Sequence, residues 1–512
     1  MSDWSAGYVA DIGYTHGYYT ELNPLRVQLA FAHAGLAAPP AVGTACELGF
    51  GQGVSVNVHA AASLARWHGT DFNPAQAAFA QELAAASGAP VHLADDAFAD
   101  FARQSDLPGF DYIGLHGIWS WISDENRAVI VDFVRRKLKV GGVLYISYNT
   151  LPGWASFAPM RHLMTQHAEV LGAEGRGIVS RVDGAIDFAE RLLQTQPAFA
   201  RANPQVAGRV EAIKGQSRQY LAHEYFNRDW LPMHFATMAQ WLEPAKLQFA
   251  CSANFLDHVN AINLSAQQQT FLNEIPDEQF RQSARDFMVN QQFRKDYWVR
   301  GARRLSVLQQ AQALRQLRVV LTTPRSLVPT KVQGALGEAT LTAAVYGPVL
   351  DALADHKPRT LAQIEAVVQQ QGVAFAGLQE AVLILSGAGH LALAQDDAVA
   401  AKARKQTDRL NAHLLGLARG SNDIAYLSSP VTGGAVAANR FEQLFLLAGA
   451  QGRKQPADWA QAAWQVLQLT GQRLVKDGKA LEAEADNLAE LTRQAQEFAE
   501  KRLPVFRALQ VV

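Results

Sequence analysis

The sequence predicts an α/β chain: a doubly wound parallel sheet with a helical insertion, then a winged-helix-like module and a helical carboxyl-terminal region. Three observations carry this. Short apolar runs alternate with helix-like segments over residues 40–150, the pattern of strands joined by crossover helices. A glycine turn, Gly49-Phe50-Gly51-Gln52-Gly53, follows the first run, where a strand would give way to a helix. Two further strand-like runs, 247–252 and 296–300, return after a long helical stretch.

The elements follow in order. Residues 41–46 form a short buried strand, and Val54-Ser55-Val56-Asn57 opens a helix after the turn. Residues 65–72 form a second strand ending in an acid, Asp71. Asn73-Pro74 then starts a helix, with Asn as cap and Pro in the first turn. Residues 90–94 make a third strand ending at Asp95-Asp96, and 110–115 a fourth. A helix spans 124–139, and Gly141-Gly142 turns into a fifth strand over 143–148. Residues 153–225 read as helical, an insertion into a sheet that 247–252 and 296–300 complete. Residues 305–335 read as a bridge carrying Pro324 and Pro329. Helices at 340–354, 360–369 and 376–386, then a strand at 389–394, suit a winged-helix-like module. Residues 408–512 read as helical, most clearly at 458–476 and 479–501. The expected domains are 1–310, with the insertion at about 153–225, then 311–400 and 401–512.

Composition narrows the function. The chain has 512 residues, 49% of them hydrophobic and 18% charged, enough for several large cores. A net charge of -1 supplies no global attraction to nucleic acid or an anionic membrane. Neither a basic, apolar leader at Met1-Ser2-Asp3-Trp4 nor a bilayer-length apolar run is found, so no membrane insertion is expected. The two cysteines, Cys46 and Cys251, form no disulfide framework, and a reducing cytoplasm is the natural compartment. There is no His-Glu-x-x-His, no CxxC and no acidic cluster at ligand spacing, so no metal is expected.

The glycine turn reads Gly-x-Gly-x-Gly because position 54 is Val, unlike the dinucleotide fingerprint Gly-x-Gly-x-x-Gly. Glu47 precedes the glycines, and an anion there repels phosphate and suits a ligand carrying positive charge or hydroxyls. S-adenosylmethionine has both. Asp71 lies about 20 residues on, where a carboxylate reaches ribose hydroxyls in a doubly wound sheet. Asp95 and Asp96 are placed to accept an adenine amine. Glu47, Gly49, Gly51, Gly53, Asp71, Phe72, Asp95 and Asp96 are therefore the expected cofactor residues. The fourth strand ends in His116-Gly117-Ile118-Trp119-Ser120-Trp121, and the fifth in Ser147-Tyr148-Asn149-Thr150-Leu151-Pro152-Gly153-Trp154. Such aromatic walls suit an amine held beside a sulfonium. Trp119, Trp121 and Trp154, with Tyr18 near the amino terminus, are the expected substrate residues. His116, Tyr148 and Asn149 are the expected catalytic ones.

Glu47–Gly53, Gly69-Thr70-Asp71 and Gly141-Gly142 resemble class I S-adenosylmethionine methyltransferases. The stretches at 116–121 and 147–154 resemble bacterial methyltransferases with a methyltransferase regulatory domain. Tyr220-Leu221-Ala222-His223-Glu224-Tyr225-Phe226 resembles the start of that domain, at about 215–300, and Ser428-Ser429-Pro430-Val431-Thr432-Gly433 a signature nearer the carboxyl end. The family includes rickettsial lysine methyltransferases of outer membrane proteins. The entry segment, residues 18–26, matches only loosely. The resemblance implies a homodimeric protein methyltransferase that acts on lysine and needs no nucleic acid. One alternative is a small-molecule O- or N-methyltransferase. A second is a non-catalytic binding protein using the winged-helix-like module. Its helix at 376–386 carries no Lys or Arg, which speaks against reading DNA.

Overall fold

The computed structural model describes residues 15–39, 42–172, 175 and 177–512. The expectation drawn from Met1–Trp4, and the Ala41 end of the first strand, lie outside the described residues. β1 (Thr44–Leu48), β2 (Arg66–Thr70), β3 (Val91–Ala94), β4 (Phe110–Leu115), β5 (Leu138–Asn149), β6 (Gln248–Ser252) and β7 (Phe293–Val299) build one sheet. Its order is β3-β2-β1-β4-β5-β7-β6. β1 to β5 are parallel, while β7 runs antiparallel to both β5 and β6. The sheet is therefore mixed at one edge, a common way to finish an otherwise parallel sheet. An apolar run does not encode its direction, so the sequence shows the strand and not its sense. The strand order reverses between β1 and β4, which opens a crevice at their carboxyl ends.

Helices cover both faces, so β1 is buried at all five positions. The helix Val54–Ala62 has all nine residues buried. It packs on the sheet side against β2 and on the other side against the long helix Asp397–Leu417. A helix covered all round is apolar all round. The helix Pro74–Ser87 starts as expected: the Asn73 side chain accepts from the Ala75 amide, Pro74 takes the first turn, and Gly88 ends it in the left-handed conformation.

The insertion runs as helices from Ala158 to Tyr225 and has its own core around Trp154, Phe157, Met160, Val182 and Val210. After β7 the chain forms β8 (Arg318–Leu321), a hairpin of β9 (Lys331–Gly334) and β10 (Gly337–Thr340), β11 (Arg359–Thr360) and β12 (Leu391–Leu393). β11, β8 and β12 make a small sheet in that order, covered by helices Ala343–Ala352, Leu361–Val368 and Phe375–Gly387. This module shares one core with the amino-terminal sheet, with Phe31, Tyr297, Val319 and Leu385 in a single cluster. The carboxyl-terminal helices share another with it, joining Val54 and Leu83 to Leu414, Phe445 and Trp464.

Two regions differ from the sequence expectation. β8 and β9 lie in the stretch read as a bridge, and β13 (Tyr426–Ser429) pairs with β14 (Gly434–Ala437) in a region read as helical. The helices expected at 458–476 and 479–501 are Pro456–Leu469 and Glu484–Glu497, with a hairpin of β15 (Val475–Lys476) and β16 (Lys479–Ala480) between them. These strands have two to four residues, too few to show a period.

Gly53 sits at φ 71° at the start of the Val54–Ala62 helix, and a Cβ there would lie 2.4 Å from Ala80 Cβ. Gly53→Ala is expected to lower unfolding stability by about 1–3 kcal/mol through backbone strain, before any contribution from the clash. Thermal unfolding checks this; an unchanged midpoint would contradict it.

Candidate functional site

The crevice between β1 and β4 opens into a cavity of about 160 Å³. Gly49, Phe50, Gly51 and Gln52 of the glycine turn form its floor, while Gly53 is not among the lining residues. Gly49, Gly51 and Gly53 have φ of 73°, 58° and 71°, a conformation that L side chains rarely adopt. The Gly49 amide donates to Thr70 O at 2.8 Å, which ties the turn to β2. A Cβ on Gly49 would lie 2.4 Å from Ile118 Cδ1, so the turn and the β4 loop touch there only because no side chain intervenes.

Asp71 follows β2 and is 7% exposed. Its Oδ2 accepts from the Gly51 amide at 2.8 Å and its Oδ1 from the Asn73 amide at 3.1 Å. Burial outweighs these bonds and pushes the carboxyl up to about 6. Glu47, at the end of β1, is 3% exposed, and its Oε2 has no hydrogen-bond partner. Burial first, then Asp71, hold it well above the usual carboxylate range. Both carboxyls line the cavity, beside Phe72, Asp96 and Phe98. Asp96 Oδ2 accepts from Gln104 at 2.6 Å. Asp95 is not among the lining residues. A buried pair of carboxyls, one with an oxygen that has no partner among the described residues, is matched by a ligand that brings hydroxyl donors and a cation.

The other end of the cavity is made by the β4 loop and an amino-terminal strap. His116 lines it, with Nδ1 2.7 Å from Tyr145 Oη. Tyr19 of the strap stacks on the imidazole with centroids 3.8 Å apart. Burial keeps His116 neutral, pushing it down to about 3. The Gly117 amide donates to Ser147 Oγ at 2.9 Å, fixing the loop to β5. Trp121 lines the cavity and donates through Nε1 to Glu224 O at 3.3 Å. Arg228 and Asp229, which follow the insertion, complete the wall.

Other sequence-selected residues lie elsewhere. Trp119 is fully buried, donates to Met233 Sδ at 3.3 Å and packs edge-on against Trp241. Tyr148 is fully buried and donates to Asp296 Oδ2 at 2.8 Å, inside a buried network that Arg294 completes with Asp286. Asn149 Oδ1 accepts from Trp154 Nε1 at 3.1 Å, and Trp154 packs into the insertion's core. Tyr18 Oη lies 3.2 Å from His59 Nε2 and accepts from the Ala435 amide at 3.0 Å. It lines a second cavity rather than the first. Trp119 and Trp121 lie in a single 3-10 turn, where residues two apart point to different sides, so one enters the core and the other the cavity.

Sequence reasoning missed Tyr19 and Glu21. Glu21 pairs with Lys295 at 2.6 Å. Burial would raise its carboxyl, but Lys295, Arg26 and His116 pull it down to about 2. The available signal was an aromatic and an acid in a segment otherwise poor in helix or strand pattern.

Comparisons follow this geometry. Residues 217–300 match the model of the predicted methyltransferase regulatory domain. Over 510 residues the chain is 41% identical to the protein sll1526 of Synechocystis sp., covering 99% of each. It is 24% identical over 203 residues to the protein RP789 of Rickettsia prowazekii, covering 36% of each. The fold is similar to that of PKMT2 from Rickettsia typhi in complex with AdoHcy, with a TM-score of 0.70, 17% identity, and coverage of 98% of this chain and 100% of that one.

The raised carboxyl of Asp71 makes a pH prediction. The folded protein holds this proton more tightly than the unfolded chain, so its contribution to stability is full below about pH 4 and is lost as pH rises through about 6. The difference is about 3 kcal/mol. Asp71→Asn removes the titration and one acceptor. It should therefore be clearly less stable than the parent at pH 4, with the gap narrowing by pH 7. Scanning calorimetry across that range checks this; a gap that is constant or widens with pH would contradict it.

Proposed function

The chain belongs to the family of sll1526, built on the class I methyltransferase fold, and from that premise we propose that it is an S-adenosylmethionine-dependent methyltransferase whose acceptor is a lysine amine of a protein. One observation carries the reading: Asp71 and Glu47, whose Oε2 has no hydrogen-bond partner among the described residues, face one small cavity at the point where the strand order reverses.

The residues fit the group. Asp71 is placed for the two ribose hydroxyls, Glu47 for the methionine ammonium, and Phe72 and Phe98 for the faces of the adenine. The adenine amine falls to Asp96. S-adenosylmethionine, when bound, supplies a methyl group on a positively charged sulfur that departs as a neutral thioether. The chain must then supply a neutral amine at the right distance. Ile118 and Trp121 give the acceptor end an apolar lining, which favours the uncharged form of a lysine. His116, neutral and anchored through Nδ1 by Tyr145, orients the amine through Nε2. Its proton leaves to water once the amine has been methylated. The protein nature of the acceptor is supported by the roughly 200 residues after β7, a surface that a small acceptor does not require, and by the resemblance to rickettsial lysine methyltransferases.

Calorimetry with S-adenosylhomocysteine tests the donor site. Asp71→Ala removes two charge-assisted hydrogen bonds and is expected to weaken binding by about 100-fold or more. Unchanged affinity would sink the donor assignment. His116→Phe is expected to lower kcat by about 100-fold while leaving donor affinity within about twofold. Transfer of labelled methyl to lysate proteins, followed by acid hydrolysis, is expected to yield methyl-lysine; label found only in small metabolites would contradict the acceptor reading.

A further inference from the structure

A second cavity, of about 450 Å³, lies between the strap, the module and the β13–β14 hairpin. Tyr19 lines both cavities, so one aromatic ring stands between this space and the donor site. Two strand edges face it. Among the described residues, β12 is an edge strand of its sheet and β14 pairs only with β13. β14 is already partly capped, since the Ala435 amide donates to Tyr18 Oη and Ala437 O accepts from Arg502 at 2.6 Å. β12 carries no comparable side-chain cap among the described residues.

The cavity's charge is unbalanced. Among the described residues, Glu21 is the one carboxylate lining it, against Arg26, Lys295 and Arg502. Lys295 pairs with Glu21, and Arg502 with Glu442 at 2.8 Å. Arg26 lies in the field of Glu21 without a direct salt bridge to it among the described residues, and its Nη2 donates to Ala253 O at 3.4 Å. It is 8% exposed, its guanidinium lies 3.9 Å over the Phe255 ring, and its Nε has no hydrogen-bond partner. Glu21 thus answers two cations, Lys295 and Arg26, and the excess positive charge in a buried setting is met by a ligand that brings a second carboxylate.

Resting on the methyltransferase reading above, we propose that this cavity takes an extended segment of the acceptor protein, main chain paired along β12, with an acidic side chain against Arg26. The methyl-accepting side chain then passes the Tyr19 ring into the donor cavity. Main-chain pairing at a free strand edge supplies affinity that tolerates varied sequence, and Arg26 supplies the selection. Tyr19 is a positioning residue: its amide donates to Ser55 Oγ at 2.8 Å, and its ring stacks on His116.

The test uses the full-length protein, labelled S-adenosylmethionine and a library of short synthetic peptides with a central lysine and degenerate flanks. The expected result is about tenfold enrichment of Asp or Glu at one flanking position among labelled peptides, and loss of labelling when the flanking amides are N-methylated. Enrichment of Lys or Arg, no flanking preference, or indifference to N-methylation would overturn the proposal. So would an absence of labelled peptides while S-adenosylhomocysteine still binds. Absence of that binding would instead remove the methyltransferase reading, and this proposal with it. Ala437→Trp and Ala392→Trp narrow the cavity from its exposed rim and from β12. Each is expected to cut peptide labelling about tenfold with donor affinity within twofold of the parent. Full labelling by both folded variants would also overturn it. Where either fails to fold, the peptide measurement on the parent protein decides.

Discussion

The hydrogen bond from the Gly51 amide to Asp71 Oδ2 is the contact on which the rest of the site depends. It joins the turn after β1 to the end of β2 and holds the glycine backbone in a conformation that only glycine adopts freely. The turn in turn sets where Glu47 faces and where the Val54–Ala62 helix begins. The same carboxylate that shapes the site is thus offered to the ligand. Its burial raises the free energy of its own ionised form. A ligand bringing hydroxyl donors relieves that cost, so affinity at this site comes partly from the burial of the Asp71 carboxylate itself.

Packing explains why so large a chain surrounds so small a cavity. The Val54–Ala62 helix carries the glycine turn at its amino end and is buried between the sheet and the carboxyl-terminal helices. The strap that closes the cavity is pinned at several points: Tyr18 on the β14 edge, Tyr19 on Ser55, Glu21 on Lys295, and Asn23 on Thr432 O at 3.2 Å. The module and the carboxyl-terminal region therefore act on the site through the strap and through the back of one helix. Tyr19 of this strap lines both cavities.

Much of this was legible in the sequence, and the failures have physical causes. The glycine turn, Glu47 and Asp71 could be read because their roles depend on backbone conformation and on spacing along two adjacent strands. The Asn73-Pro74 helix start could be read for the same reason. Trp119, Tyr148 and Trp154 were selected by proximity in sequence to the strand ends. The pleat and the turn of helix after β4 send them into the core instead. Tyr19 and Glu21 could not be found that way, because they reach the site from a segment whose position is set by contacts with residues 295 and 432. β8, β13 and β14 are too short to show a period and exist through their partners.

Proton release on ligand binding tests the central claim most directly. Calorimetry of S-adenosylhomocysteine binding near pH 6, repeated in buffers of different ionisation enthalpy, counts the protons exchanged. Asp71 and Glu47 are held above their ordinary range in the free protein, and hydroxyl and ammonium donors would return them to the ionised form. The account predicts net release near pH 6, smaller in Asp71→Asn and absent when Glu47→Gln is added. Binding with no proton exchange in the parent protein, or with the same exchange in the double variant, would contradict it.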